Sequence, residues 1–159
     1  MILSNFFFLK YRKYVQIRVL SEHKLNVDFK TGKLKVDGNT EIKTAIIHIH
    51  GGGFISLSSR VHQTYLRKWT KLVPNSIIFS IDYRLSPEYP FPAALDDIWQ
   101  GYYWLLTQCR IQLGIPLDNI FLAGDSAGGN FSMVLTLRAL HARVRLPDAL
   151  ILGYPGSFR

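Results

Sequence analysis

The stretch from Phe121 to Asn130, FLAGDSAGGN, is the part of the sequence that decides the fold. It begins as the end of an apolar strand and continues as the start of a helix. Between the two lies the pattern Gly-x-Ser-x-Gly, at residues 124–128. The pentapeptide is common by chance, but a strand-to-helix turn is the context that a nucleophile elbow requires. We therefore predict that Ser126 lies on a tight, strained turn and acts as a nucleophile.

The two glycines of this pattern are expected to have a steric role. On so tight a turn, side chains at Gly124 and Gly128 would collide with neighbouring backbone. Two other interpretations stay open for the pentapeptide by itself, namely an ordinary Gly-Ser turn and a phosphate site at a helix N-terminus. The stretch lacks the lysine of a P-loop, which disfavours the phosphate site.

A second glycine-rich motif, HGGG at residues 50–53, follows an apolar run earlier in the chain. In an exposed loop of this kind, backbone N–H groups can point at a developing oxyanion. Two independent motifs in the right order and context favour a serine nucleophile with an oxyanion hole over an ordinary turn.

The apolar runs of the chain alternate with helical patterns, which predicts a mostly parallel sheet covered by helices on both faces. The predicted strands are Thr44 to His50, Ser76 to Tyr83, Asn119 to Asp125 and Ala149 to Pro155. The predicted helices are His62 to Leu72, Pro92 to Leu113 and Ala127 to Arg143. Along the longest helix, Ala94, Ile98, Leu105 and Cys109 are expected on one buried face, so the single cysteine is a packing residue.

Residues 1–43 are predicted to form a basic arm with short antiparallel strands, because KLNVDFKTGKLKVDGN contains two turn signals. This segment carries nine Lys/Arg and four Asp/Glu, and therefore +5 of the net charge of +8. The first residues, MILSNFFFLKYRK, lack the flanks of a signal peptide and are too short to span a membrane. We expect the arm to pack on the protein or to touch a lipid surface, in the cytoplasm.

Nucleic-acid binding is not expected, because the chain has no zinc spacing, no RNA-binding motif and no interleaving of basic and aromatic residues. A basic module that binds an anionic membrane surface or nucleic acid stays as a minor alternative, and it predicts salt-sensitive binding. His23 and His62 belong to no motif, and both are interpreted as surface or packing residues.

The sequence resembles the hormone-sensitive lipase group of α/β-hydrolases. HIHGGGF at 48–54, DYRLSPEYPFPAALDD at 82–97 and GDSAGGN at 124–130 carry the resemblance, which runs from about Thr44 to Pro155. The stretches SSRVHQTYLRKW and VRLPDALILGYP resemble the eukaryotic members more than bacterial esterases.

The resemblance implies an α/β-hydrolase fold for residues 44–159, as the N-terminal part of a catalytic domain. It also implies a serine hydrolase that acts on acylglycerols or related esters, without a metal or cofactor. Ser126 would be the nucleophile, and the N–H groups of Gly52, Gly53 and Ala127 would form the oxyanion hole. The residues that support these motifs are His50, which orients the glycine loop, and Gly51, Gly124, Asp125 and Gly128.

Three charged residues of the middle motif, Asp82, Arg84 and Glu88, lie in a proline-rich turn. We interpret them as a structural network that fixes the loop before the long helix. Direct catalysis by these residues is the less favoured alternative.

The acid and the histidine of a triad follow the serine in this fold. After Ser126 the chain has one histidine, His141, and one acid, Asp148. His141 lies about 22 Å along the helix that Ser126 opens, at ~1.5 Å per residue, whereas a base must lie within ~3 Å. Asp148 precedes a strand, at the end of the sheet opposite to that where such sites collect. We therefore expect both to lie outside any triad.

The chain by itself is thus expected to be nearly inactive, because without a base only weak catalysis remains. Its last strand, apolar on both faces, is expected to form an open edge, incomplete at the C-terminus. A truncated gene model or fragment is the favoured explanation, and a natural short form or pseudo-enzyme is the alternative. A non-catalytic ligand-binding protein on the same fold is the alternative function, since the family includes a plant hormone receptor that lost the histidine.

Overall fold

The computed structural model describes residues 2–3, 14–27, 34–36 and 42–156. The strands are β1 (Ile2–Leu3), β2 (Gln16–Leu20), β3 (Leu25–Val27), β4 (Leu34–Val36), β5 (Thr44–Ile49), β6 (Ser76–Asp82), β7 (Asn119–Asp125) and β8 (Ala149–Gly153). The helices are α1 (Ser59–Leu72), α2 (Ala93–Leu113) and α3 (Ala127–His141). The four strands predicted after residue 43 are confirmed, with ends that differ by at most two residues.

Six strands form one sheet in the order β1-β2-β6-β5-β7-β8. The strands β6, β5, β7 and β8 are parallel to one another, whereas β2 pairs antiparallel with both β6 and β1. The mostly parallel sheet is therefore as predicted. Its parallel strands end at one common edge, and both glycine-rich motifs lie there.

The N-terminal segment contributes to two sheets. The strands β3 and β4 pair antiparallel, with Leu25 opposite Val36, which confirms the predicted short strands. The strand β2 was not predicted, and it joins the main sheet by pairing with β6, with Gln16 opposite Asp82. Its alternate residues Ile17 and Val19 are buried, and this alternation was the available signal.

The two faces of the main sheet are covered by different helices. Alternate side chains such as Ile47, Phe79 and Leu122 pack into one large apolar cluster with residues of α2 and α3. The opposite face packs on α1 through a smaller cluster of Leu20, Ile46, Leu66, Ile78 and Ala123. The alternation of side chains along a strand places neighbouring residues on these two faces.

Helix boundaries differ from the sequence prediction where long-range contacts decide them. The helix α1 begins at Ser59 rather than at His62. The Ser59 backbone N–H and hydroxyl donate to the Asp82 carboxylate at 2.6 and 2.5 Å, so a residue of β6 caps this helix. At the other end of the chain, α3 ends at His141, two residues before the predicted Arg143.

The strand β8 lies at an edge of the sheet, where β7 is its neighbour among the described strands. Leu150 and Ile151 are 39% and 45% exposed, although a buried strand was suggested by their apolar character. Cys109, in contrast, is fully buried on α2, as predicted, and burial raises the pKa of its thiol to about 12. Among the described residues, no helix has both the length and the apolar composition to cross a bilayer.

Candidate active site

Ser126 lies on the turn between β7 and α3, with backbone angles φ 50° and ψ −119°. A positive φ in a residue with a side chain costs about 1–3 kcal/mol and persists where the surroundings enforce it. Here the Ser126 N–H donates to the Gly153 carbonyl at 2.8 Å, and its own carbonyl accepts from the Asn130 N–H at 3.1 Å. The serine is held on a strained turn and remains partly exposed.

The predicted steric role of the two elbow glycines is confirmed. A Cβ atom at Gly124 would lie 2.5 Å from the backbone of Gly128. A Cβ atom at Gly128 would overlap the carbonyl oxygen of Ile49, at the end of β5. The elbow can therefore approach β5 this closely only because both positions lack side chains.

The glycine loop after β5 has its own backbone requirements. Gly52 and Gly53 have φ angles of 123° and 63°. The Gly52 carbonyl accepts from the N–H groups of Ile55 and Ser56 at 3.2 and 3.0 Å, and this turn folds the loop back on itself. A Cβ atom at Gly52 would overlap the Ser56 carbonyl, so only glycine fits there.

The three predicted oxyanion-hole donors are free to bind a ligand. The N–H groups of Gly52, Gly53 and Ala127 make no hydrogen bond to any other residue that the structure describes. Ala127 is the first residue of α3, where helix N–H groups lack partners within the helix and carry a partial positive charge. Unpartnered N–H groups at these positions are what the predicted oxyanion hole requires, and the role of the three residues stays a prediction.

His50 contacts the backbone of the glycine loop and packs in the interior. Its ring is buried and stacks on Tyr83 at 4.1 Å between centroids. Its Nδ1 atom donates to the Gly51 carbonyl at 2.8 Å, and the Tyr83 hydroxyl donates to the His50 carbonyl at 2.7 Å. Burial lowers the pKa of His50, which keeps the ring neutral.

Asp125, next to the nucleophile, connects the glycine loop, α1 and the segment after β8. Its Oδ1 atom accepts from the Gly51 N–H at 3.2 Å and from the Tyr65 hydroxyl at 3.4 Å. The His62 Nε2 atom lies 3.5 Å from the same oxygen, and the Tyr154 hydroxyl lies 3.4 Å from Oδ2. Asp125 thus joins three segments of the chain beside Ser126.

Sequence reasoning did not assign His62 and Tyr65 to the site. His62 is buried, as the packing interpretation allowed, and its Nδ1 atom donates to the Ser58 carbonyl at 3.0 Å. The available signal was the spacing of His62, Tyr65 and Trp69, three and four residues apart. This spacing places the three rings on one face of a helix.

The loop before α2 is fixed by a charged residue, as interpreted, although its charges form two separate contacts rather than one network. Arg84 makes a bidentate pair with Asp97 at 2.8 to 3.1 Å, and this pair joins the loop to α2. Asp82 instead caps α1 through Ser59, and Glu88 is exposed. Asp82 therefore fixes the start of α1, whereas Arg84 joins the loop to α2 through Asp97.

None of the five histidines hydrogen-bonds to Ser126 within the part of the chain that the structure describes. His141 is exposed at the end of α3 and its Nδ1 atom donates to the Leu137 carbonyl. Asp148 accepts from the Ile120 N–H at 2.7 Å, at the amino end of β7. The predicted position of Asp148, at the end of the sheet away from Ser126, is confirmed.

A cleft and a smaller cavity adjoin the glycine loop and the elbow. A cleft of about 530 Å³ lies beside the glycine loop, between residues such as Leu57, Arg84 and Tyr89. A cavity of about 260 Å³ adjoins Gly124, and its lining includes the polar side chains of His48, Tyr65 and Asp125 together with the apolar Trp69 and Ile151. In residues 2–3, 14–27, 34–36 and 42–156, no three His, Cys, Asp or Glu side chains are grouped as a metal site would need.

A parallel sheet flanked by helices, with a serine on a strained elbow and a glycine loop beside it, defines an α/β-hydrolase. The family model for the alpha/beta hydrolase fold matches residues 46–159. The chain therefore belongs to the α/β-hydrolase family, within which it is of the hormone-sensitive lipase type.

Individual relatives agree with this assignment. The chain is 43% identical to hormone-sensitive lipase of Bos taurus over 115 residues, which are 72% of the chain and 15% of the lipase. It is 34% identical over 116 residues to the gibberellin receptor GID1B of Arabidopsis thaliana, covering 71% of the chain and 32% of the receptor.

A solved structure gives the same result. The hyperthermophilic esterase from the archaeon Pyrobaculum calidifontis superposes with a TM-score of 0.77 and 26% identity, over 98% of this chain and 44% of the esterase. The chain thus spans less than half of that esterase and about a seventh of the bovine lipase.

Proposed function

We propose that the chain contributes the nucleophile and the oxyanion hole of a carboxylic ester hydrolase. The observation that carries the proposal is that Ser126, on its strained turn, lies beside a glycine loop in which the N–H groups of Gly52 and Gly53 have no hydrogen-bond partner among the described residues. In an acyl-transfer reaction, donors of this kind bind the negative charge that develops on the carbonyl oxygen.

The reaction proceeds in two halves. The Ser126 hydroxyl oxygen attacks the ester carbonyl carbon, while its proton passes to a histidine base. The N–H groups of Gly52, Gly53 and Ala127 hold the oxyanion. The alcohol leaves with the proton, and water, activated by the same base, releases the acid from the acyl-enzyme. Each oxyanion donor of this type contributes about a 10²–10³-fold effect on kcat. No metal or cofactor takes part in these steps.

The base and acid are proposed to come from residues outside this chain, so that the 159 residues alone are nearly inactive. Two observations support this proposal. No histidine among the described residues contacts Ser126, and the chain spans 15% of the bovine lipase. A triad that lacks its base retains only the catalysis that the oxyanion hole and substrate binding supply.

The proposed substrates are acylglycerols or related esters with an apolar acyl chain. The loop that follows the oxyanion glycines presents apolar side chains, because Phe54, Ile55 and Leu57 are 39%, 63% and 47% exposed. A basic N-terminal segment, with +5 of the net charge, is proposed to assist contact with an anionic lipid surface.

Fluorophosphonate labelling tests the proposed nucleophile. The protein encoded by the complete native transcript should be labelled at Ser126 and should hydrolyse a short-chain nitrophenyl ester. The Ser126→Ala variant should lose both properties. The transcript itself is sequenced through the Arg159 codon first, since a frame that continues into a later Asp and His supplies the proposed base and acid.

A ligand-binding protein without hydrolysis is the second candidate, and the 34% identity to a gibberellin receptor favours it. This candidate predicts a complete protein that is folded and binds a ligand but whose Ser126 does not react with the fluorophosphonate. Labelling of Ser126 would exclude the receptor function, and its absence from the folded complete protein would exclude the hydrolase.

A further inference from the structure

We propose that Ser80, His48 and Tyr65 form a chain of hydrogen bonds whose protons all point toward Asp125. Through this chain the three residues position the carboxylate that holds the glycine loop against the elbow. They are positioning residues, since none of them touches the reacting atoms. The consequence for catalysis rests on the proposed function, whereas the arrangement of protons does not.

These hydrogen bonds run along the sheet face that α1 covers. The Ser80 hydroxyl lies 2.8 Å from His48 Nδ1, and His48 Nε2 lies 2.8 Å from the Tyr65 hydroxyl. The same Tyr65 oxygen lies 3.4 Å from Asp125 Oδ1. The Ser80 and His48 side chains are fully buried.

The direction of the protons follows from the last member of the chain. A carboxylate only accepts hydrogen bonds, so in the hydrogen bond between Tyr65 and Asp125 the Tyr65 hydroxyl donates its single proton. The Tyr65 oxygen is then an acceptor for His48, and the His48 proton lies on Nε2. A neutral imidazole has one N–H, which leaves Nδ1 to accept the Ser80 hydroxyl proton.

The environment favours the protonation states that this arrangement needs. Burial lowers the pKa of His48 to about 3, and the neighbouring His62 and His50 act in the same direction, so the ring stays neutral. Burial and then the charge of Asp125 raise the pKa of Tyr65, so its hydroxyl keeps the proton that it donates.

The hydrogen-bond chain ends at Asp125, the residue that joins the glycine loop to the elbow. Asp125 precedes Ser126 directly, and the same oxygen that faces Tyr65 accepts the Gly51 N–H at 3.2 Å. A Cβ atom at Gly51 would overlap this carboxylate, so the glycine loop rests directly on it. A rotated carboxylate would release the loop whose next two N–H groups face the oxyanion.

The alternative arrangement of protons is distinct and measurable. If His48 carried its proton on Nδ1, Ser80 would accept it and Tyr65 would donate to His48 instead of Asp125. Nitrogen NMR of the protein labelled at histidine distinguishes the two neutral tautomers. We expect the His48 proton on Nε2 at neutral pH, and a proton on Nδ1 would overturn the proposal.

A substitution pair tests the effect on the active site. In the complete protein, Tyr65→Phe removes the last donor of this hydrogen-bond chain, and we expect kcat to fall about tenfold at unchanged KM, on the order of one hydrogen bond to a charged group. Tyr102→Phe is the matched control, because the buried Tyr102 hydroxyl donates to the Arg145 carbonyl at 2.6 Å, between α2 and the segment that precedes β8. We expect the control to keep the wild-type kcat.

The outcomes separate this proposal from the proposed function. Equal kcat in the Tyr65→Phe and Tyr102→Phe variants would overturn the positioning role. Absence of both labelling and turnover in the complete wild-type protein would overturn the hydrolase, and the His48 tautomer would still decide the proton arrangement. If Tyr65→Phe does not fold, the tautomer in the wild-type protein remains the deciding measurement.

Discussion

The two faces of the main sheet differ in what they bury. The face under α2 and α3 packs into one large apolar cluster, whereas the face under α1 combines a five-residue cluster with buried His48 and Ser80. The large cluster excludes water from most of the sheet. The α1 face instead contains neutral hydrogen-bonding groups that extend to Asp125, beside the nucleophile. We infer that the face under α2 and α3 supplies most of the free energy of folding, and that the face under α1 positions the Asp125 carboxylate beside the nucleophile.

The close contact between α3 and β5 should give the largest effect. In the Gly128→Ala variant the new methyl group overlaps the Ile49 carbonyl, and neither backbone segment can move away without disturbing the elbow. We expect the free energy of unfolding to fall by about 5 kcal/mol or more, as measured by urea denaturation.

Gly114→Ala is the matched control for this substitution. Gly114 ends α2 at φ 70° and has open space around a Cβ atom. Only the left-handed backbone is unfavourable for alanine there, which costs about 1–2 kcal/mol. Similar losses in the two variants would contradict the idea that close backbone contact fastens α3 to the sheet.

Two adjacent aspartates of α2 provide the next test, because one faces inward and the other outward. Asp97 is 1% exposed and pairs with Arg84, so Asp97→Ala leaves a largely buried guanidinium without its partner. We expect the free energy of unfolding to fall by about 3–5 kcal/mol.

The neighbouring pair of Asp96 with Arg138 is more than one third exposed on both sides. Asp96→Ala should therefore cost about 0–1 kcal/mol in the same denaturation experiment. A loss at Asp97 no larger than the loss at Asp96 would show that the Arg84 pair does not hold the loop to α2.

The smallest expected effect is a pH dependence of the free energy of unfolding, caused by His48 on the α1 face. Folded His48 stays neutral to about pH 3, whereas the unfolded residue takes up a proton below about pH 6.5. The unfolded state thus binds more protons, and stability falls as the pH falls below about 6.5. The expected slope for this residue is about 1.4 kcal/mol per pH unit.

The His48→Gln variant separates this contribution from the rest. Glutamine keeps a donor and an acceptor but does not titrate, so unfolding curves between pH 6.5 and 5 should show a smaller slope than the wild type. Burial also lowers the pKa of His50, so a residual slope of the same sign is expected. An unchanged slope would mean that His48 is not the neutral buried group described.

Much of the fold could be predicted from the sequence because local patterns determine it. The apolar runs predicted the parallel strands β5 to β8, and Gly124 and Gly128 predicted a close approach that the backbone contacts confirm. The position of Asp148, away from Ser126, also followed from the order of strands. These features depend on residues near one another in the chain or on rules common to parallel sheets.

Other features were decided by the tertiary structure alone. The start of α1 depends on Asp82, 23 residues away, and Arg84 pairs with Asp97 rather than with its neighbours in the loop. The ring of donors around Asp125 joins residues as distant in sequence as Gly51 and Tyr154.

The sequence by itself determined the class of fold, the nucleophile that we propose and the glycines around it, because steric and periodic constraints act over a few residues. Only the tertiary structure decided which side chains surround Asp125 and how far α1 extends. Hydrogen bonds of buried polar groups depend on distances of tenths of an ångström between segments that packing brings together, and sequence spacing does not encode such distances.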